Sequence, residues 1–140
     1  MATSTDAAKQ GAITIDTSGW PLVRITFLGE ASDEAFQRYL DEYAALIKRG
    51  LYVTIYDARA SRNTKAKNRR LQAEWLRKHD AIVRRNCLGV AFCVSSPLIR
   101  GAITAVFWLQ PPPMPYFITE SIAEAEAWAR EKMRAGTPPG

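Results

Sequence analysis

No stretch of this sequence reaches the roughly 18 consecutive apolar residues that a membrane-spanning helix needs. Met1 to Gln10 is polar and lacks a basic start followed by an apolar core, so it is not expected to be a signal peptide. Histidine occurs once, as His79, and cysteine twice, as Cys87 and Cys93. That is too thin a set for a zinc site, which assembles four ligands. If Cys87 to Cys93 is a strand, its ends lie roughly 20 Å apart, beyond disulfide reach. Both thiols are expected to be buried and inert, in a reducing, cytoplasmic setting. Gly-x-Gly-x-x-Gly, Gly-x-Ser-x-Gly and phosphate-loop patterns are all missing. Carboxylates cluster only as Asp33-Glu34 and Asp41-Glu42, helix positions that face solvent. These absences argue against an enzyme, a cofactor and a metal.

What is present suits one globular domain. A chain of 140 residues with 47% hydrophobic and 24% charged residues has enough apolar material to build a core. Residues 1–10 and 136–140 read as flexible tails around a domain over 11–135.

Charge is uneven. From Arg59 to Arg85 there are ten Lys or Arg and two acids, a local balance of +8, so the remainder sums to −3. Such a stretch suits an anionic partner or is simply a solvated face. Nucleic acid is disfavoured, because Trp75 falls on an apolar helix face and leaves no exposed stacking platform.

Ala12 to Asp16 and Leu22 to Leu28 alternate apolar and polar residues around the turn-rich Thr17-Ser-Gly-Trp-Pro21, which predicts an antiparallel hairpin. Ser32 caps a first helix carrying Phe36, Tyr39, Leu40, Tyr43 and Ile47 at helical spacing, stopped by Gly50. A strand over Leu51 to Tyr56 ends at Asp57, and a polar, basic loop follows over Ala58 to Lys67. A second helix is predicted from Asn68 to Arg85, with His79 partly buried and bonded to a carbonyl. Leu88 to Val94 reads as a central strand. Ser96-Pro97 opens a third helix to Gln110, and Pro111 to Pro115 closes it. Tyr116 to Thr119 is a short strand, and Ser121 to Glu124 is a capping box opening a fourth helix to about Arg134. The order β-β-α-β-α-β-α-β-α predicts an α/β fold with a five-stranded, mostly parallel sheet, one antiparallel edge strand and four helices.

Ile25-Thr-Phe-Leu-Gly29, Val53-Thr-Ile-Tyr-Asp57, Gln72-Ala-Glu-Trp75 and Phe107-Trp-Leu-Gln-Pro-Pro112, in that order of elements, resemble bacterial SpoIIAA-like sequences of the STAS/SEC14 type. The resemblance spans Ala12 to Arg134. It implies helices predominantly on one side of the sheet and a non-enzymatic role in protein binding and signalling, or an association with lipid. The phosphorylated Asp-Ser-Ser-Gly-like motif of the sigma-factor antagonists is not here. Asp57 matches the strand-end acid, and Ser61 or Thr64 stands as a substitute phosphorylation site or as a solvated loop residue.

Two candidate surfaces follow. The loop after the third strand supplies Asp57, Arg59, Ser61, Arg62, Thr64, Lys65 and Lys67, suited to a partner or an anionic ligand at the C-terminal end of a strand. The third helix supplies Leu98, Ile99, Ile103, Val106, Phe107 and Trp108, which span most of its circumference and cannot all face one sheet. Neighbouring helices, a homodimer partner or a lipid-like ligand would cover the remainder. The leading expectation is a homodimeric, protein-binding regulatory module; the alternative is a peripheral binder of lipid or a small anionic ligand.

Overall fold

A computed structural model of the chain describes residues 11–62 and 65–136. The strands are β1 (Ala12–Asp16), β2 (Leu22–Gly29), β3 (Tyr52–Ser61), β4 (Cys87–Cys93) and β5 (Tyr116–Thr119). The helices are α1 (Asp33–Leu46), α2 (Ala66–Lys78), α3 (Asp80–Asn86), α4 (Pro97–Leu109) and α5 (Ile122–Gly136). Of the tails expected over 1–10 and 136–140, residues 1–10 and 137–140 lie outside the described residues, whereas Gly136 closes α5 instead of belonging to a tail.

The strands form one sheet in the order β1-β2-β3-β4-β5. The predicted hairpin pairs β1 with β2 antiparallel, from Ala12 opposite Leu28 to Asp16 opposite Arg24. Every other pair is parallel, as expected of strands joined through helices. Alternation assigns the faces. Val23, Ile25, Tyr52, Val90 and Phe92 point toward α1 to α4. Val53, Ile55, Ala91 and Cys93 point the other way, onto Ala125 and Ala129 of α5. Helices on one face and a single helix on the other match the expected bias.

The helix starts are built as their residues require. Ser32 Oγ accepts from the Ala35 amide at 3.1 Å, and Ser96 Oγ accepts from Ile99 at 3.4 Å beside Pro97 in the first turn. The capping box of α5 closes through a relay. Ser121 Oγ accepts from the Glu124 amide, whereas the Ser121 amide donates to Thr119 Oγ1, which donates to the Glu124 carboxylate at 2.7 Å.

Two boundaries depart from the sequence reading. The single helix predicted over 68–85 is two helices, making five rather than four among the described residues, and the predicted third helix is α4. The break is at His79, whose backbone amide (3.0 Å) and ring Nδ1 (2.8 Å) both address the Trp75 carbonyl. Trp75 is itself tied to α1, through Nε1 to the Leu40 carbonyl at 2.9 Å and by stacking on Tyr43 at 5.1 Å. The half-buried, carbonyl-bonded state expected of His79 is present, at the residue where the backbone leaves helical geometry with φ −105° and ψ 15°. Second, β3 runs four residues past Asp57. After an irregularity between Thr26 and Leu28, Ala60 and Ser61 pair with Leu28 and Gly29, and the basic loop shrinks accordingly.

Candidate functional site

An apolar cavity of about 140 Å³ opens between α2, α4 and the aromatic face of the sheet. The alternation of β3 and β4 makes its floor from Tyr52, Tyr56, Val90 and Phe92, with Tyr56 and Phe92 stacked at 5.2 Å. From α4 come Ile99, Ile103, Val106 and Phe107, and from α2 come Trp75 and Leu76. Phe92 meets Phe107 of α4 edge-on at 5.8 Å, and Trp75 of α2 stacks on Tyr43 of α1.

The floor is polar beneath its rings. Tyr39 Oη donates to Gln72 Oε1 at 2.9 Å, so the 2.7 Å bond between Tyr56 and Tyr39 has Tyr56 as its donor. Tyr43 bonds to Thr54, which is fully buried, at 2.6 Å. Burial, reinforced by neighbouring hydroxyls, pushes Tyr39, Tyr43 and Tyr56 well above the ordinary tyrosine range. Cys87, the thiol of the cavity, is pushed up to about 11 by burial and stays protonated at neutral pH.

Asn68 is the exception to this satisfied network. It lies on the cavity wall, only 4% exposed, and neither its Nδ2 nor its Oδ1 has a hydrogen-bond partner among the described residues. More than 90% of buried polar groups are paired, and each orphan costs about 1–3 kcal/mol. At the rim stand Ser61, Lys65 and Arg69. Lys65 faces Glu30 at 3.5 Å and Asp33 at 3.9 Å, and among the described residues no carboxylate lines the cavity.

The predicted loop set is dispersed. Asp57 and Arg59 pair with each other at 2.8 and 2.9 Å, the guanidinium holding the carboxyl below its usual range, beside a second, shallow depression. Ser61 and Lys65 reach the cavity rim, Arg62 is exposed, and Lys67 binds Asp33 at 3.0 Å. Thr64 lies outside the described residues. The cations expected to await an anion at Arg59, Lys65 and Lys67 therefore already face carboxylates of this chain.

The predicted helix set divides three ways. Ile99 and Val106 are core, Ile103 and Phe107 are half-buried cavity wall, and Leu98 and Trp108 point outward at 69% and 84% exposure. Sequence reasoning missed Asn68 and Gln72 as cavity residues. Their signal was present: 68, 72, 75 and 76 share one helix face, so two amides sit on an apolar stripe.

No family model matches the sequence, and no curated protein matches it. Among solved structures, the fold is similar to that of an uncharacterized protein of the DUF3478 family with a SpoIIAA-like fold from Shewanella loihica PV-4. The TM-score is 0.59 at 18% identity, covering 92% of this chain and 98% of that one. The fold of this chain is SpoIIAA-like. Among the described residues no helix is long and apolar enough to cross a membrane.

Proposed function

We propose that this chain is a non-enzymatic binding module of the SpoIIAA/STAS type that holds a small apolar ligand between α2, α4 and the sheet. The observation that carries the reading is the ring-lined cavity itself. Small-molecule sites are concave and mostly apolar, with a few placed polar groups. A protonated thiol and a lining without carboxylates support binding rather than chemistry at this site. The test is titration with indole or benzene, followed by thermal shift and native mass spectrometry, in the wild type and in Ala102→Phe, which fills the cavity from α4. Saturable one-to-one binding lost in the folded variant is expected. Absence of binding, or equal binding by both proteins, refutes the reading.

A second reading concerns the outer face of α4: two copies pair through it. Leu98, Trp108, Leu109 and Tyr116 leave on the order of 500 Å² of side chain open, large for a monomer and most of one partner's share of a standard interface. Between them, a Cβ on Gly101 would meet nothing within 4 Å, so no contact among the described residues explains a helix glycine that costs about 1 kcal/mol. Positions 98, 101, 105 and 108 share one face and lie symmetrically about residue 103. A two-fold axis at that level sets Gly101 against the partner's Ala105 and Leu98 against the partner's Trp108. Antiparallel helices also oppose their dipoles favourably. Sedimentation should find a dimer that Trp108→Glu converts to a folded monomer. A wild type monomeric at high concentration, or one that instead partitions onto vesicles, rejects the pairing.

A further inference from the structure

We infer that the ligand of this cavity carries a neutral head presenting a hydrogen-bond donor and acceptor side by side, a carboxamide or lactam edge, and that Asn68 recognises it. The inference rests on the cavity reading above and specifies its ligand.

The starting point is the orphaned amide. Asn68 is nearly fully buried on the cavity wall, and both its polar atoms are without partners among the described residues. An apolar residue there would remove that cost, so the asparagine is a burden to the empty protein. A ligand that completes its bonds turns the burden into selectivity, because a site built to hydrogen-bond rejects an analogue that cannot.

The geometry of a primary amide dictates the complement. Nδ2 needs an acceptor and Oδ1 needs a donor, both in the plane of one flat group. A carboxamide or a lactam supplies that pair in one planar edge. A carboxylate supplies acceptors alone and would leave Oδ1 facing another oxygen. A ketone or ester fails for the same reason. Charge points the same way: Lys65, one helical turn before Asn68, stands at 3.5 Å from Glu30 and 3.9 Å from Asp33. Lys65 therefore does not call for an anion.

Size bounds the body. An apolar cavity of about 150 Å³ accepts benzene, and this one measures about 140 Å³. One ring, or a chain of comparable bulk, fits between Phe92 and the α4 wall of Ile103 and Val106, with its head toward Asn68.

The experiment uses three probes of one shape, benzamide, acetophenone and benzoate, titrated by calorimetry into the full chain and into Asn68→Leu. In the wild type, benzamide should bind at least as tightly as acetophenone, although it is the less apolar of the two. In Asn68→Leu the preference should move toward acetophenone by tenfold or more, and the melting temperature of the empty protein should rise by several degrees. An unchanged ratio with both ligands still binding overturns the head-group inference and leaves the cavity reading standing. Tightest binding of benzoate overturns it in favour of an anionic head. A variant that melts lower, or fails to fold, overturns it by making Asn68 a structural residue. If no probe binds either protein, the cavity reading falls and this inference with it.

Discussion

Raising the pH should unfold this protein through its tyrosines. Tyr39, Tyr43 and Tyr52 are at most 3% exposed, and Tyr56 is half-buried beside them. Desolvation is the largest cause holding all four hydroxyls protonated, and their neighbours' hydroxyls add to it. In the unfolded chain a tyrosine ionises near pH 10. Above that pH the native state binds more protons than the unfolded one, so stability falls as pH rises. Below it the contribution is fully present. Each hydroxyl that ionises only on unfolding removes about 1.4 kcal/mol per pH unit above 10. Four of them remove about 6 kcal/mol by pH 11, comparable with the whole stability of a typical domain, about 5–15 kcal/mol. Cys87 adds to the loss, since its folded value of about 11 exceeds that of a free thiol. Absorbance at 295 nm and far-UV circular dichroism should be followed together from pH 8 to 12.5. The tyrosinate signal of these four residues should appear only with the loss of secondary structure. A rise worth four tyrosines near pH 10, with the dichroism still native, would refute the buried network.

Gly11→Ala should destabilise by more than the 1–3 kcal/mol of a strained φ, because Gly11 sits at +82° and a Cβ would come within 2.4 Å of the Glu30 carbonyl; urea melts read this directly. Trp75→Phe removes the indole bond to the Leu40 carbonyl, which keeps its acceptor role within α1, and should cost about 0.5–1.5 kcal/mol in the same assay, with weakened docking of α2 on α1. Asp57 is held below its ordinary range chiefly by its bond to Arg59, so its contribution is intact above pH 4 and disappears as pH falls through the depressed native value. The wild type should therefore lose more stability than Asp57→Asn between pH 5 and pH 2, by at most about 1 kcal/mol for so accessible a pair.

Local rules govern the parts of this fold that the sequence discloses. Period-two alternation in Leu22 to Leu28 set the hairpin and its inward residues, and Ser32, Ser96 and Ser121 marked three helix starts by their hydroxyls. The break at His79 was illegible because the apolar spacing of Leu71, Trp75, Leu76, Ile82 and Val83 continues across it, and only the backbone geometry of His79 interrupts the helix. The extension of β3 through Ala58-Arg-Ala-Ser61 was hidden for another reason. Those residues lack strand chemistry of their own, and pairing with Leu28 and Gly29 imposes the conformation. For α4, the excess of apolar residues was readable, but not their division among core, cavity wall and outer surface. That division follows from how far α4 stands from the sheet.

The distance is itself set by which half of each strand's alternation faces a helix. On one face Gly89, Ala91 and Cys93 of β4 meet Ala125 and Ala129 of α5, and the approach is so close that a Cβ on Gly89 would fall 2.6 Å from the Trp128 ring. The small side chains of β4 and of Ala125 and Ala129 let α5 approach β4 closely there. On the opposite face Val90 and Phe92 alternate with them, beside Tyr52 and Tyr56 of β3, and the helices above answer with Tyr43, Trp75 and Phe107. Rigid rings cannot fill the angles between one another as branched aliphatics do, so helices resting on them stand off and enclose space. The cavity is thus a consequence of the aromatic half of the alternation. The basic segment that follows β3 contributes its rim alone, with Asn68 as the polar group that the enclosed space leaves unanswered.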